Sequence, residues 1–214
     1  MLKNYGRLDN RYFKNKLKKI ASYCKGSVLD VGGYTGELAE FLEENYIFDH
    51  NYWLIDGDKE ALKIAESKGI LWGVYMDLNK ESIIHCRKFN NIVLSDILDL
   101  VLDPDKLLSE ATTLSNHIII SVTNDNTIYH RIKVLFGRGI SSSPFNIHCH
   151  LRHPTFKQWE DFIGKYLVIK EKSYWICFRY EKPLWVDWIL LRFANLLPNL
   201  FARGAVYECS VRPK

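Results

Sequence analysis

Residues 28–36 read Val-Leu-Asp-Val-Gly-Gly-Tyr-Thr-Gly, a β-prone run that leads into a glycine-rich turn. The first four residues predict a buried strand. Gly32, Gly33 and Gly36 allow the backbone to turn sharply and to approach a ligand closely. Thr35 is expected to cap the following helix, whose apolar residues recur at helical spacing. A strand, a glycine turn and a helix in this order predict a ligand site at the carboxyl edge of a parallel sheet.

The chain around this stretch alternates between strand and helix patterns, which is typical of βαβ units. The sequence therefore predicts an α/β, Rossmann-like, doubly wound and mostly parallel sheet. The predicted strands are 27–32, 52–55, 70–76, 91–95 and 117–122, and the predicted helices are 10–24, 35–45, 58–68 and 104–115. Beyond these, helices are expected at 126–136 and 155–165, and strands at 166–179 and 203–212.

The composition is ordinary for a globular protein, with 214 residues of which 47% are hydrophobic and 25% are charged. No apolar run approaches the roughly 18 residues of a transmembrane helix, and the first residues lack the apolar core of a secretory signal. The five cysteines are scattered and odd in number. These features predict reduced thiols and a cytoplasmic location.

The net charge of +4 conceals a division along the chain. Residues 1–26 carry eight bases and one acid, residues 27–127 carry seven bases and eighteen acids, and residues 128–214 carry fourteen bases and six acids. The basic segments are consistent with a lid that attracts an anionic substrate, or with ordinary solvated surface charge. No DNA- or RNA-binding motif accompanies the bases, so no nucleic-acid partner is expected.

Residues 184–197 form a strongly apolar stretch that is too short to span a bilayer. Burial against the sheet is the favoured interpretation. The alternatives are a face that binds a partner protein and a face that lies on a membrane surface.

Two carboxylates follow predicted strands at the same edge as the glycine turn. Asp56 lies twenty residues after Gly36, at the end of the second strand. An acid at that place in dinucleotide folds accepts hydrogen bonds from ribose hydroxyls. Asp77 follows the third strand, and a carboxylate there can accept from the exocyclic amine of a nucleoside. The three strand ends together predict an adenosine-type cofactor.

These motifs resemble those of the class I S-adenosylmethionine-dependent methyltransferases. Residues 28–36 resemble the first motif of that family, and Leu-Ile-Asp-Gly-Asp at 54–58 resembles its ribose-binding motif. Met-Asp-Leu at 76–78 resembles the adenine-contact motif, and residues 90–104 resemble the strand-four motif with its Asp-Pro helix start. The resemblance covers residues 26–122 and implies a seven-stranded sheet whose last strand is antiparallel.

Residues 130–138, 150–156 and 197–203 resemble the MetW-like branch of the family, which is named for a methionine-biosynthesis protein. The implied organisation is one methyltransferase-like domain over residues 1–214, with a basic N-terminal helix at 1–25, a cofactor-binding half at 26–122, and a lid, substrate and C-terminal hairpin region at 123–214.

The resemblance also implies a set of residues that would hold S-adenosylmethionine. They are Asp30, Gly32, Gly33, Gly36, Asp56, Gly57, Asp77, Leu78 and Ser95. In this scheme the glycines surround the methionine part, Asp30 supports their loop, and Asp56 holds the ribose.

Two positions depart from the family pattern. The first motif usually has glycine where this chain has Tyr34, whose side chain would either crowd the methionine end of the cofactor or point away from it. Relatives often carry a Glu-His pair in the strand-four segment, where this chain has Asp99 and Leu100. A histidine base or metal ligand is therefore missing at that place.

Methyl transfer from a sulfonium needs a protein base only when the nucleophile holds its proton. The catalytic residue is not identified; the candidates are Asp96, His148, His150 and His153. The adjacent spacing of these histidines and a cysteine fits zinc poorly, so no metal is predicted. The bases expected to contact an anionic acceptor are Arg131, Lys133, Arg138 and Arg152.

The sequence therefore predicts an S-adenosylmethionine-dependent methyltransferase that acts on a small acceptor, with an anionic one favoured. The first alternative is a non-catalytic protein of the same fold that partners a biosynthetic enzyme, as the MetW-like resemblance implies, with 184–197 as the partner-binding face. The second is an NAD-dependent oxidoreductase, which is disfavoured because residues 32–36 lack the Gly-x-Gly-x-x-Gly spacing.

Overall fold

The computed structural model describes residues 14–46, 51–70, 72–140, 151–176 and 185–212. Its strands are β1 (Val28–Val31), β2 (Tyr52–Asp56), β3 (Gly73–Tyr75), β4 (Asn91–Ser95), β5 (His117–Thr123), β6 (Leu167–Trp175) and β7 (Gly204–Val211). Its helices are α1 (Lys14–Tyr23), α2 (Glu37–Asn45), α3 (Lys59–Ser67), α4 (Pro104–Leu114), α5 (Ile128–Leu135), α6 (Phe156–Ile163), α7 (Trp185–Leu196) and α8 (Pro198–Phe201), with a 3₁₀ turn at Ile83–His85.

The strands form a seven-stranded sheet in the order β3-β2-β1-β4-β5-β7-β6. The five strands β3, β2, β1, β4 and β5 pair in parallel with their neighbours in this order. Strand β7 is antiparallel to both β5 and β6. This arrangement confirms the predicted Rossmann-like sheet with an antiparallel last strand. Because β1 lies between β2 and β4, its carboxyl end falls where the strand order reverses, and open α/β sheets bind ligands at that point.

The central strands are buried on both faces, as a parallel sheet covered by helices requires. Side chains alternate across β1, so Val28 packs into one hydrophobic layer with α1 and α2. Leu29 and Val31 pack into the other layer with α4. Because β1 pairs in parallel with β2 and β4, the carboxyl ends of these three strands lie together at one edge.

Helix starts follow from local capping, with one correction. Asp58 and Asp103 accept hydrogen bonds from the first backbone N–H groups of α3 and α4. The prediction that Thr35 caps α2 is wrong. Gly36, with φ +78°, occupies the cap position, and the Thr35 hydroxyl donates to the Glu37 carboxylate instead. The left-handed glycine separates Thr35 from the N–H groups that a cap must reach.

Other boundaries differ by a few residues. β3 covers only Gly73–Tyr75 of the predicted 70–76, since it is an edge strand with a single neighbour. α5 begins at Ile128, after Thr127, whose backbone is extended and whose hydroxyl contacts His130 Nδ1 and makes no capping hydrogen bond. α1 lies within the predicted helix 10–24, of which residues 10–13 fall outside the described residues.

The prediction that residues 184–197 are buried against the sheet is wrong for most of the described side chains of α7. Ala194 is fully buried and Leu191 partly so, but Trp188 and Leu196 are 64% and 69% exposed. The helix thus contacts the core along one side and exposes the other. No helix within the described ranges is long and apolar enough to cross a membrane.

Candidate functional site

The chain turns after β1 through two left-handed glycines. Gly32 has φ +76° and its N–H donates to the Ile55 carbonyl at 2.7 Å. Gly36 has φ +78° and its N–H donates to the Gly33 carbonyl at 2.9 Å. A Cβ on Gly33 would lie 2.5 Å from the Asp30 carboxylate. Two of the predicted glycines are therefore required by backbone conformation, and the third by lack of space.

Asp30 lies beneath this turn and is buried. Its carboxylate accepts a hydrogen bond from the Tyr52 hydroxyl, and its Oδ1 has no hydrogen-bond partner among the described residues. Desolvation by burial raises the pKa of Asp30 to about 7. The contact of Tyr52 with Asp30 could not be predicted from the strand pattern, because a tyrosine in such a pattern indicates only side-chain packing. Together the two residues fill the space under the glycine turn.

Asp56 connects the glycine turn to the end of β2. Its Oδ2 accepts from the Tyr34 N–H at 2.9 Å, and its Oδ1 accepts from the Asp58 N–H at 2.8 Å. Desolvation by burial raises the pKa of this carboxyl above its ordinary value. Each carboxylate oxygen can accept more than one hydrogen bond. The Gly57 N–H is a third backbone donor to this carboxylate, so Asp56 can hold the turn and still accept from a ligand hydroxyl.

Tyr34 adopts a left-handed backbone conformation with φ +49°. This conformation costs a residue other than glycine roughly 1–2 kcal/mol, and the hydrogen bond to Asp56 holds it in place. The side chain is partly buried. Crowding of the methionine end of a cofactor by this ring stays a prediction.

Asp77 and Leu78 follow β3 at the same edge. Asp77 Oδ2 lies 2.9 Å from Lys80 Nζ, and its hydrogen bond to this lysine holds the pKa of the carboxyl below its ordinary value. Leu78 packs against the core. Gly57 is loosely surrounded, since a Cβ there would meet only the Met76 carbonyl at 3.5 Å. Their adenine and ribose contacts stay predictions.

A chain of polar contacts joins the ends of β4 and β5 to α1. The Ser95 and Ser121 hydroxyls lie 3.1 Å apart, and Ser121 donates to Asp96 Oδ1 at 2.7 Å. Lys16 forms an ion pair with Asp96 Oδ2 at 2.6 Å. A proton on the Asp96 carboxylate would disrupt its ion pair with Lys16, so Asp96 is poorly placed to take a proton from a substrate. Lys16 is buried, although a basic helix pattern favours solvated lysines.

Residues 151–155 cross the loops that follow β4 and β5. The Leu151 N–H donates to the Asp99 carbonyl at 2.9 Å. The Arg152 guanidinium donates to the carbonyls of residues 101–102 at 2.6 and 2.7 Å. Arg152, predicted to contact the acceptor, thus uses two of its N–H donors to anchor this segment.

His153 is paired with a carboxylate at the carboxyl end of β5. Its Nδ1 lies 2.8 Å from Asp125 Oδ2, and its carbonyl accepts from Asn126 Nδ2 at 3.0 Å. The neighbouring His130 is buried, and desolvation lowers its pKa. A carboxylate that accepts from Nδ1–H leaves Nε2 of His153 available to take a proton. Asp125 was not among the predicted site residues, because it belongs to none of the sequence motifs.

The remaining predicted residues are spread more widely. Arg131 and Arg138 are exposed, on α5 and just after it, while His148 and His150 lie outside the described residues. Within the described ranges no cluster of histidine, cysteine and carboxylate side chains is suited to a metal ion. The free thiols in these ranges are Cys24, Cys86 and Cys209.

A hollow of about 250 Å³ lies between α3 and β3. Its lining residues are Lys59, Leu62, Lys63, Glu66, Ile70, Gly73 and Tyr75. None of them is a predicted cofactor residue, so this hollow is not the candidate site.

A family model described as a methyltransferase domain matches residues 5–162. The chain belongs to this methyltransferase-domain family. The match includes the glycine turn, Asp56, Asp77 and the segment 151–155. No curated protein sequence matches the chain significantly.

Solved methyltransferase structures share the fold. A chain of the complex between the Haloferax volcanii Trm112 methyltransferase activator and a methyltransferase is 14% identical, with a TM-score of 0.66 over 96% of this chain and 91% of that one. An S-adenosylmethionine-dependent methyltransferase from Clostridium acetobutylicum is 15% identical, with a TM-score of 0.60 over 95% and 92%. The N-methyltransferase NodS from Bradyrhizobium japonicum, solved with S-adenosyl-L-homocysteine, is 12% identical, with a TM-score of 0.60 over 98% and 92%.

Proposed function

We propose that this protein, as one domain over residues 1–214, transfers a methyl group from S-adenosylmethionine to a small acceptor. The observation that carries the proposal is the Asp56 carboxylate, which ties the glycine turn to the end of β2 and keeps unused acceptor sites. Membership of the methyltransferase-domain family and the S-adenosylmethionine-dependent enzyme among the structural neighbours support the same cofactor.

The residues at the carboxyl edge fit such a cofactor. Gly32, Gly33 and Gly36 offer a turn without side chains to the methionine part. Asp56 accepts from the ribose hydroxyls, and Asp77 accepts from the adenine amine. When bound, the cofactor would supply a methyl group on a positively charged sulfur: the acceptor would bond to the methyl carbon, in line with the carbon–sulfur bond that breaks, and neutral S-adenosylhomocysteine would leave. The contribution of the chain is to align the acceptor and to exclude water.

For an acceptor that holds a proton, we assign the role of general base to His153. Asp125 accepts from its Nδ1–H and orients the ring, so that Nε2 takes the proton. Asp96 is a poorer candidate because a proton on its carboxylate would disrupt the ion pair with Lys16. An acceptor that is already an anion, such as a carboxylate, needs no base.

Asp56→Ala is expected to weaken the binding of S-adenosylmethionine about five- to 150-fold, because it removes charge-assisted hydrogen bonds to the ribose. Isothermal titration calorimetry with S-adenosylmethionine and S-adenosylhomocysteine measures this effect. Asp161→Ala removes the same charge from the exposed side of α6 and should leave the affinity unchanged. Equal affinities for Asp56→Ala and the parent would place the ribose elsewhere, and absence of binding heat in the folded parent would reject the cofactor.

His153→Gln is expected to lower the rate of methyl transfer about a hundredfold for a proton-bearing acceptor, with unchanged cofactor affinity. The rate is measured as labelled methyl incorporated into the components of a cell extract, which also identifies the acceptor. Asp125→Asn should reduce the rate in the same direction, and His85→Gln, on the 3₁₀ turn before β4, should not. Undiminished transfer by His153→Gln would remove this residue from the mechanism.

The second candidate function is that of a non-catalytic partner of a biosynthetic enzyme, as in the MetW-like branch. Tyr34 in place of the family glycine, and Asp99 and Leu100 in place of a Glu-His pair, favour it. One structural neighbour comes from a complex with a methyltransferase activator. A stoichiometric protein partner without methyl incorporation would favour this candidate, and incorporation by the purified chain alone would reject it.

A further inference from the structure

Helices α5 and α7, which both contact the short helix α8, each expose large apolar side chains. On α5 and the turn after it, Tyr129, Leu135 and Phe136 are 65%, 80% and 75% exposed. On α7, Trp188 and Leu196 are 64% and 69% exposed. Single exposed apolar residues are ordinary, but a cluster of them marks an interaction site. We call this cluster the α5–α7 surface.

The short helix α8 connects the two parts of the α5–α7 surface. It contacts both α5 and α7, and the rings of Phe193 and Phe201 lie 5.4 Å apart. Helices α5 and α7 therefore both pack against α8.

Most apolar residues of α5 share one side of the helix and bases border that side, whereas Val134 lies on the opposite side and is 51% exposed. At 3.6 residues per turn, Tyr129, Ile132 and Leu135 fall within an arc of about 120°. Lys133 lies just beyond one border of the arc and Arg131 just beyond the other. Long basic side chains in these positions can keep their charged ends in a polar layer while the helix buries its apolar side.

The charge along these helices is mainly positive. Residues 128–140 and 188–203 contain five bases and no acid, while Asp187 lies in the first turn of α7 and Asp125 precedes α5. The exposed bases in these ranges are Arg131, Arg138, Arg192 and Arg203. A surface that is both apolar and positive complements a layer of anionic headgroups above a hydrocarbon interior.

We propose that the α5–α7 surface docks this protein onto an anionic lipid bilayer. With 8 and 12 residues, α5 and α7 are too short to span a membrane. Amphipathic helices with bases beside an apolar side lie in the membrane interface, and Trp188 and Tyr129 are of the residue types that favour that depth. A protein partner would need a groove shaped to two convex helices and acids matched to the bases, whereas lipid adapts to such a surface.

The α5–α7 surface lies at the same edge of the sheet as the candidate site. α5 follows the carboxyl end of β5, and Gly204, shortly after α8, pairs with Thr123 at that end. Docking would bring the site close to the bilayer, so that an acceptor held in the membrane comes within reach. This last step rests on the proposed methyl transfer, while lipid binding itself does not, so the two can fail separately.

Vesicle flotation of the full chain, without cofactor, tests the proposal. Vesicles of an equal mixture of phosphatidylcholine and phosphatidylglycerol should carry the protein upwards, and vesicles of phosphatidylcholine alone should not. High salt should reduce the bound fraction, because it screens the attraction between arginines and headgroups.

The variant Leu135→Ser with Phe136→Ser is expected to lower the fraction bound to anionic vesicles at least tenfold. Arg138→Glu with Arg192→Glu should do the same at low salt. As matched controls, Ile84→Ser and Lys88→Glu change an exposed apolar residue and an exposed base before β4, and should bind as the parent does. Circular dichroism verifies that each variant is folded.

Absence of flotation by the folded parent, or equal flotation of the parent and the surface variants, would overturn the proposal. Self-association in solution that Leu135→Ser with Phe136→Ser abolishes, without lipid binding, would assign the surface to a second copy of the chain. A defined protein bound stoichiometrically through the same residues, without lipid binding, would assign it to that protein.

Discussion

Asp30→Asn is expected to change how the free energy of unfolding depends on pH between about pH 4 and pH 7. Burial raises the pKa of Asp30 from 3.8 to about 7 in the folded chain. In this window the folded state holds a proton that the unfolded state has released. The contribution of Asp30 to the free energy of unfolding therefore falls as the pH rises, and a shift of about three pKa units corresponds to about 4 kcal/mol.

Asparagine avoids this loss because it carries no charge and has nearly the same shape. The variant should resemble the parent near pH 4 and exceed its free energy of unfolding by about 4 kcal/mol above pH 7. Urea denaturation followed by circular dichroism across this range measures the difference. For Asp161→Asn, which changes an exposed carboxylate, the free energy of unfolding should differ from that of the parent by a nearly constant amount across this pH range. A constant difference for Asp30→Asn as well would show that Asp30 does not titrate in this window.

Gly33→Ala is expected to destabilise the fold by about 3 kcal/mol through overpacking. A Cβ there would lie 2.5 Å from Oδ2 of Asp30, 2.7 Å from its Cγ and 3.0 Å from Cδ1 of Leu54. The Asp30 carboxyl has little room to move, because it is buried and bonded to Tyr52. The turn must therefore shift, and we expect binding of S-adenosylmethionine to be lost with it.

Gly57→Ala provides the matched control at the neighbouring strand end. A Cβ on Gly57 would make an ordinary contact with the Met76 carbonyl at 3.5 Å, so its effect on stability should stay below about 1 kcal/mol. In an Asp30→Ala background, Gly33→Ala should cost less, because the atoms that it meets have been removed. An unchanged cost in that background would show that the contact with Asp30 is not the cause.

The glycine turn was predictable because its requirements are local. A left-handed backbone at Gly32 and Gly36 limits the residue type whatever packs around it. Asp56 was predictable for a similar reason, since an acid directly after a buried strand lies at the carboxyl edge of any parallel sheet. The apolar runs of β1 and β4 likewise required burial on both faces.

One error in prediction is local, whereas the other features that the sequence did not reveal depend on distant segments. Thr35 is a residue type that often caps a helix, but the left-handed Gly36 takes that position. The apolar α7 was expected to be buried, yet only the side with Leu191 and Ala194 meets the core. Lys16, in a helix rich in lysine, is buried against Asp96, which lies 80 residues further along the chain.

By itself, the sequence determined the order of strands and helices, the glycine turn and the acids at the strand ends, because backbone preference and hydrophobic periodicity act over a few neighbouring residues. Only the tertiary structure decided which side chains meet and which apolar sides stay exposed. Among the pairs that it formed are Tyr52 with Asp30, Lys16 with Asp96, and Asp125 with His153. Each pair depends on the distance between segments far apart in the chain, and no local pattern contains that distance.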